Sequence, residues 1–229
     1  MRGRDKMTPS GNTGNRRKGF VLSASRSSAV RWLSPVAALL LATGGGLAAA
    51  PVLAAGAPSA VRGVVTVKGV KTNADAVVTL EAPGLKLAPP AEPSKIDQKG
   101  FRFLPHVTVI ETGSAIRFLN NDPEPHNVYS PEGRYNLGTW PTGDTKDFVF
   151  KKPGVYSQLC NIHPDMLAYV VVVDTPHFAV TDATGAFLIR NVPPGKYRLV
   201  VWHEKKDGLE KDVEVLAGKP LALDLVLEK

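Results

Sequence analysis

Residues 153–166 read PGVYSQLCNIHPDM, and the second half of this stretch decides the fold. From Cys160 to Met166, a thiol, an imidazole and a thioether recur at spacings of three. A thiolate is a soft ligand and imidazole suits copper. Two His and one Cys in a trigonal set, with a long weak bond to Met, make an electron-transfer copper site. Cys160, His163 and Met166 supply three of those four groups. A strand ending at Cys160, followed by a tight loop, can turn all three inward to one point. The fourth donor must come from another strand. His126 is the natural one, because it follows the turn Asn120-Asn121-Asp122-Pro123-Glu124-Pro125 and opens a short strand, HNVYS. The expectation is one copper ion held by His126, Cys160, His163 and Met166. Structural zinc wants four good Cys or His ligands, and a thioether is a poor substitute.

Cys160 is the only cysteine of the 229 residues. Exported proteins pair their cysteines, so a single one needs a reason. A buried small hydrophobe is the bland reason; the neighbours of Cys160 argue for a ligand.

Outward from this stretch, the text from Val61 onward is that of an all-β protein. Short runs rich in Val, Ile, Phe, Tyr and Leu are broken by Gly, Pro, Asn and Asp, and long helical periodicity is absent. Strands are expected near 61–68, 75–81, 101–110, 114–119, 126–130, 146–150, 154–160 and 167–174. Four more are expected near 186–190, 196–203, 210–215 and 221–228. Residues 82–94, APGLKLAPPAEPS, read as a linker or an extended surface loop. His106, His177 and His203 sit beside apolar strands and read as surface or capping residues. Trp202-His203 beside Glu204-Lys205-Lys206 reads as a solvated edge.

The segment from about Phe101 to Asp174 resembles the plastocyanin/azurin family of cupredoxins. Its PHVTVIETGSAIRFLNND (105–122) is similar to that family's second and third strands, and Pro153-Gly154, Tyr156 and Cys160 match its PGxYxxxC phrase. The C-x-x-H-P-x-M loop is most similar to the short loop of amicyanin. The resemblance implies a Greek-key sandwich with His126, Cys160 and His163 as equatorial ligands and Met166 as the axial one. It also implies that the Asn127 side chain ties the two ligand loops together.

Two further phrases, Thr181–Phe187 (TDATGAF) and Asn191–Tyr197 (NVPPGKY), resemble the carboxypeptidase regulatory-like family, a small prealbumin-like sandwich. In that family a first hairpin directly precedes the first phrase. Here the hairpin candidate, 61–81, lies far upstream. The expectation is therefore a cupredoxin domain at 93–176 inserted into a small sandwich made of 61–92 and 177–229. Insertion is tolerated where domain termini lie close together at the surface. A plain tandem is the rival arrangement.

Upstream, residues 32–55 form an apolar, small-residue run that comes after a basic stretch and ends in a small-residue cleavage pattern. This reads as a secretory signal over 1–55, so the mature protein is expected to be periplasmic or secreted. Contact with a membrane is expected only through that segment. Residues 1–31 carry eight Lys and Arg against one Asp, which equals the whole chain's net charge of +7. The remainder is neutral, without the basic patch that a nucleic-acid partner needs.

Four protein ligands leave no open metal position for a substrate, and GxSxG is absent. The expectation is an exported type 1 (blue) copper protein that carries single electrons and is not an enzyme. Its partners would be redox proteins such as a small cytochrome or a dehydrogenase. The alternative is a copper-binding or surface- or carbohydrate-binding accessory protein without a carrier role.

Overall fold

The computed structural model describes residues 56–228, and the expected signal segment lies outside them. Among the described residues there are sixteen strands and no helix. The fold is all-β.

The first two strands, β1 (Ser59–Val67) and β2 (Val77–Glu81), pair with strands from the far end of the chain. They join β12 (Phe178–Val180), β13 (Ala186–Val192), β14 (Gly195–His203), β15 (Lys206–Val215) and β16 (Leu221–Leu227). The orders are β13-β1-β16 and β12-β2-β14-β15. These two sheets share one core, built from Val61, Val65, Val78, Leu80, Phe187, Ile189, Leu199, Val201 and Leu225. They form the flanking sandwich.

The intervening strands pair among themselves. β3 (Ser94–Gln98), β4 (Phe103–Leu104), β6 (Ala115–Asn120) and β9 (Thr145–Val149) make a sheet in the order β4-β3-β6-β9. The other sheet, β5-β11-β10-β7-β8, contains β5 (Val107–Glu111), β7 (His126–Ser130), β8 (Tyr135–Trp140), β10 (Gly154–Leu159) and β11 (Leu167–Val173). Between them lie Ile96, Phe103, Ile110, Ile116, Phe118, Val128, Trp140 and Phe150, closed off from solvent. This is the central sandwich.

A third apolar layer joins the two. Side chains alternate between faces along a strand. In β11, Ala168, Val170 and Val172 point into the central core, while Val171 and Val173 point out against Val77. In β2, Val78 and Leu80 point into the flanking core, and Val77 points out. Both strands are therefore covered on both faces, which explains their unbroken apolar text, since a half-exposed strand would alternate.

Three sequence expectations change here. The stretch 101–110 is two strands, broken at Pro105, which has no N–H to give to a ladder. Trp202–Lys206 is only in part a solvated edge: Lys205 is exposed, but Trp202 packs on Tyr169 at 5.3 Å between ring centres, and the Glu204 side chain is 15% exposed. His203 is buried at 5% exposure rather than lying on the surface. His106 is half-buried, with Nδ1 3.1 Å from the Leu167 carbonyl and Nε2 3.2 Å from Glu204.

Candidate metal centre

The centre lies at one pole of the central sandwich, where β7 starts and β10 ends. His126 is the first residue of β7, Cys160 directly follows β10, and His163 and Met166 lie in the loop before β11. That loop is tight: the Met166 N–H donates to the His163 carbonyl at 3.0 Å. Donor atoms of His126, Cys160 and His163 all lie within 4.8 Å of one another. The Nδ1 atoms of His126 and His163 are 3.0 Å apart, and Cys160 Sγ is 4.0 Å from His163 Nδ1. Two donors at about 2.0–2.3 Å from a shared ion can be up to about 4.3 Å apart, and both separations fall inside that span. Met166 is fully buried in the same apolar cluster as Cys160.

The turn ahead of His126 is built by side chains. Asn120 Oδ1 accepts from the Asp122 N–H at 3.0 Å, and its amide donates to the Glu124 and Trp140 carbonyls. These bonds curl residues 120–126 and bring the Asp122 carboxylate under the imidazole. His126 Nε2 donates to Asp122 Oδ2 at 2.8 Å. A carboxylate only accepts, so the ring proton sits on Nε2 and the Nδ1 lone pair faces His163 and Cys160. Such an outer partner fixes the tautomer and orientation of a metal-binding imidazole. Burial works to raise the Asp122 carboxyl. The Phe101 and Gly100 N–H groups, together with His126, outweigh it and hold the carboxyl below its ordinary range.

Asn127 joins the two loops. Its Oδ1 accepts from the Asn161 N–H at 3.0 Å, and its Nδ2 donates to Asn136 and to the Gly138 carbonyl. Pro123, Pro125, Ile162 and Pro164 are all exposed around the pole.

Sequence reasoning missed two contributors. Asp122 carried a signal, a carboxylate four residues before a candidate ligand within a turn. Phe101 carried none. It reaches the site from the β3–β4 hairpin, with its ring edge-on to His163 at 5.0 Å and to His126 at 5.8 Å.

One family model matches part of the chain, and several solved structures are similar to part of it. Residues 166–228 match the carboxypeptidase regulatory-like domain. The match takes in β11, which in the structure pairs with β5 and β10 of the central sandwich. Among solved structures, a purple cupredoxin from Nitrosopumilus maritimus is 26% identical with a TM-score of 0.32, over 35% of this chain and 99% of that one. Amicyanin from Paracoccus versutus is 21% identical with a TM-score of 0.34, over 42% of this chain and 97% of that one. A copper-containing nitrite reductase from Thermus scotoductus SA-01 is 25% identical with a TM-score of 0.35, over 41% of this chain and 25% of that one. The chain is similar to cupredoxins and to carboxypeptidase regulatory-like domains. No curated protein matches it.

Proposed function

We propose that the protein is an exported type 1 copper protein that passes single electrons between redox partners. His126, Cys160, His163 and Met166 hold one ion. The observation that carries this reading is the convergence of two imidazoles and the only thiol at one pole, with the His126 tautomer set by Asp122. A soft thiolate with two imidazoles and a thioether suits copper. Copper bound there would supply reversible one-electron chemistry.

The chain's own residues do the rest. Asp122 and Asn127 fix the donors before any metal arrives, so little has to reorganise. The buried cluster around Cys160 and Met166 excludes water. His163 is half-buried while Ile162 and Pro164 beside it are exposed, so its ring edge is the exit for an electron. Partners of the carrier kind, a small cytochrome or a dehydrogenase, would dock on that apolar rim. The central sandwich, 93–176, acts as an insert in the flanking one, as the strand pairing supports.

An absorption spectrum of the Cu(II)-loaded protein is the direct test. A thiolate–Cu(II) bond gives an intense orange-red band, and a colourless protein with one equivalent of Cu(II) ends the reading. Met166→Gln should keep copper and lower the midpoint potential, since a harder oxygen favours Cu(II). Fast exchange with a small cytochrome supports the carrier. Copper release to a chelator without such exchange supports the accessory role instead.

A further inference from the structure

Phe101 sits at the β3–β4 hairpin tip with φ at 58°. For a bulky residue that left-handed conformation is a true outlier. Strain of this kind persists only where the surroundings impose it, and it gathers at functional sites. Here the two-residue β3–β4 turn imposes it, with both central residues, Gly100 at 63° and Phe101 at 58°, at positive φ and the Lys99 N–H bonded to the Arg102 carbonyl. The Asp122 carboxylate clamps that turn, accepting from the Gly100 N–H at 2.5 Å and the Phe101 N–H at 2.9 Å. Phe101 so placed remains 49% exposed. Burial of the ring therefore does not account for the strained backbone beneath it. The turn fixes the backbone but favours Gly at such a position; what the phenylalanine side chain adds is contact with the two imidazoles, edge-to-face on His163 at 77° and on His126 at 90°.

The two imidazoles differ in how they are held. His126 is buried and bonded to Asp122. The hydrogen-bond contacts of the His163 ring are with His126 and Cys160, the other members of the donor cluster. Its flanking residues Ile162 and Pro164 face solvent. Phe101 is the one ring outside the cluster that packs on it among the described residues.

We infer that Phe101 is a positioning residue that holds the His163 ring inward. Metal retention at the site then depends on a side chain that does not touch the metal. Asp122 orients both imidazoles, one by a direct bond and the other through the backbone of Phe101. The consequence for bound copper rests on the function proposed above; the hold on the ring does not.

Three variants of the full chain test this: Phe101→Ala, Phe101→Gly and Phe101→Tyr. Copper loss to a chelator should be about tenfold faster in the Ala and Gly variants, the scale set by two edge-to-face contacts. The Tyr variant should match the parent protein. In the metal-free state the Gly variant should melt about 2–4 °C above the Ala variant, because glycine adopts positive φ without strain. Copper retention would thus fall alike in two variants whose stabilities diverge. A residue that only stabilised the fold would move both properties together. In metal-free Phe101→Ala, the His163 ring protons should show rotamer averaging by NMR. Parental copper loss in both the Ala and Gly variants would overturn the inference, and so would a His163 ring as ordered in metal-free Phe101→Ala as in the parent. A parent protein that binds no copper would end the copper reading instead. The metal-free NMR comparison would then decide the role of Phe101.

Discussion

The flanking sandwich buries Ser59, Thr79, Thr181 and His203 among its aliphatic side chains, whereas the central sandwich buries, besides Ser114 and Ser130, the larger polar groups Gln98, Asn120, Asp122, His126, Asn127 and Gln158. Both obey the same two-residue period, and both have apolar centres. The difference is one of kind and place. Three of the flanking polar groups are hydroxyls, and the two threonines bond a backbone carbonyl, Thr79 that of Val200 and Thr181 that of Asn73 at 2.7 Å. The central ones include four amides, a carboxylate and an imidazole. Asn120, Asp122, His126 and Asn127 all come from the β6–β7 connection or its edges. A buried amide or carboxylate is costly unless bonded; Asn120 is bonded within the turn that leads to His126, Asp122 to His126 itself, and Asn127 to the loop that follows Cys160. A buried polar group that orients another polar group marks a site more clearly than a conspicuous ligand residue does.

The strongest test of this contrast is Cys160→Ser. It replaces a soft thiolate with a mostly protonated hydroxyl and should abolish the orange-red band completely, while the melting of the flanking sandwich stays where it was. Absorption and calorimetry on the same sample would show both.

Core truncations come next. Phe118→Ala and Leu199→Ala each remove a fully buried side chain and should cost about 3–5 and about 2–5 kcal/mol. Denaturant titration measures those costs. The spectrum separates them: Phe118→Ala should weaken copper retention, and Leu199→Ala should leave the visible band in position. A band that shifts in Leu199→Ala would mean that the shared layer of Val77, Val107, Val171 and Val173 transmits strain between the sandwiches.

Asp122→Asn should cost about 1–3 kcal/mol through lost charge-assisted bonds. The carboxyl is held below its ordinary range in the folded state, so its contribution is full above its unfolded value of about 3.9. That contribution is lost as pH falls through the folded value. The gap in stability between parent and variant should therefore be constant near neutrality and close in acid.

The smallest effect concerns His203. Burial, aided by Lys205, keeps its ring below the ordinary histidine range, and Nδ1 accepts from the Lys205 N–H at 3.1 Å. As pH drops below about 6.5 the unfolded chain takes up the proton first, so stability declines. His203→Gln should flatten the slope of melting temperature between pH 7 and 5. An unchanged slope would assign that decline to other groups.

The text of the chain shows side-chain period and ligand chemistry well, and coverage poorly. Cys160, His163 and Met166 stand within one short loop, so their convergence needs little knowledge of the fold. The all-β character is legible in short apolar runs between Gly and Pro. β3 is hidden at the end of a proline-rich stretch, and β8, YNLGTW, has no apolar run because much of it faces solvent. Trp202–Lys206 reads as an edge because charge implies water only if nothing packs there, and Tyr169 and His106 do. Phe101 is silent in sequence for a similar reason. A hairpin brings it to His163 across 62 positions of chain, and no local pattern encodes that distance.

The first and last strands form a ladder of their own. β1 and β16 run parallel, in register from Val61 opposite Leu221 to Val67 opposite Leu227. Gly63 makes a close approach possible, since a Cβ there would lie 1.8 Å from the Leu223 carbonyl oxygen. Residue 56 therefore leads into one end of this ladder, and residue 228 leaves from the other. Tension between the two ends of the described chain loads the ladder in shear, with all its rungs resisting together rather than peeling in turn. Residues 82–177 branch off that line of force. Pulled by its ends, the molecule would act as a clasp around a slack loop, and the geometry at Cys160 would feel none of the strain until the clasp gave way.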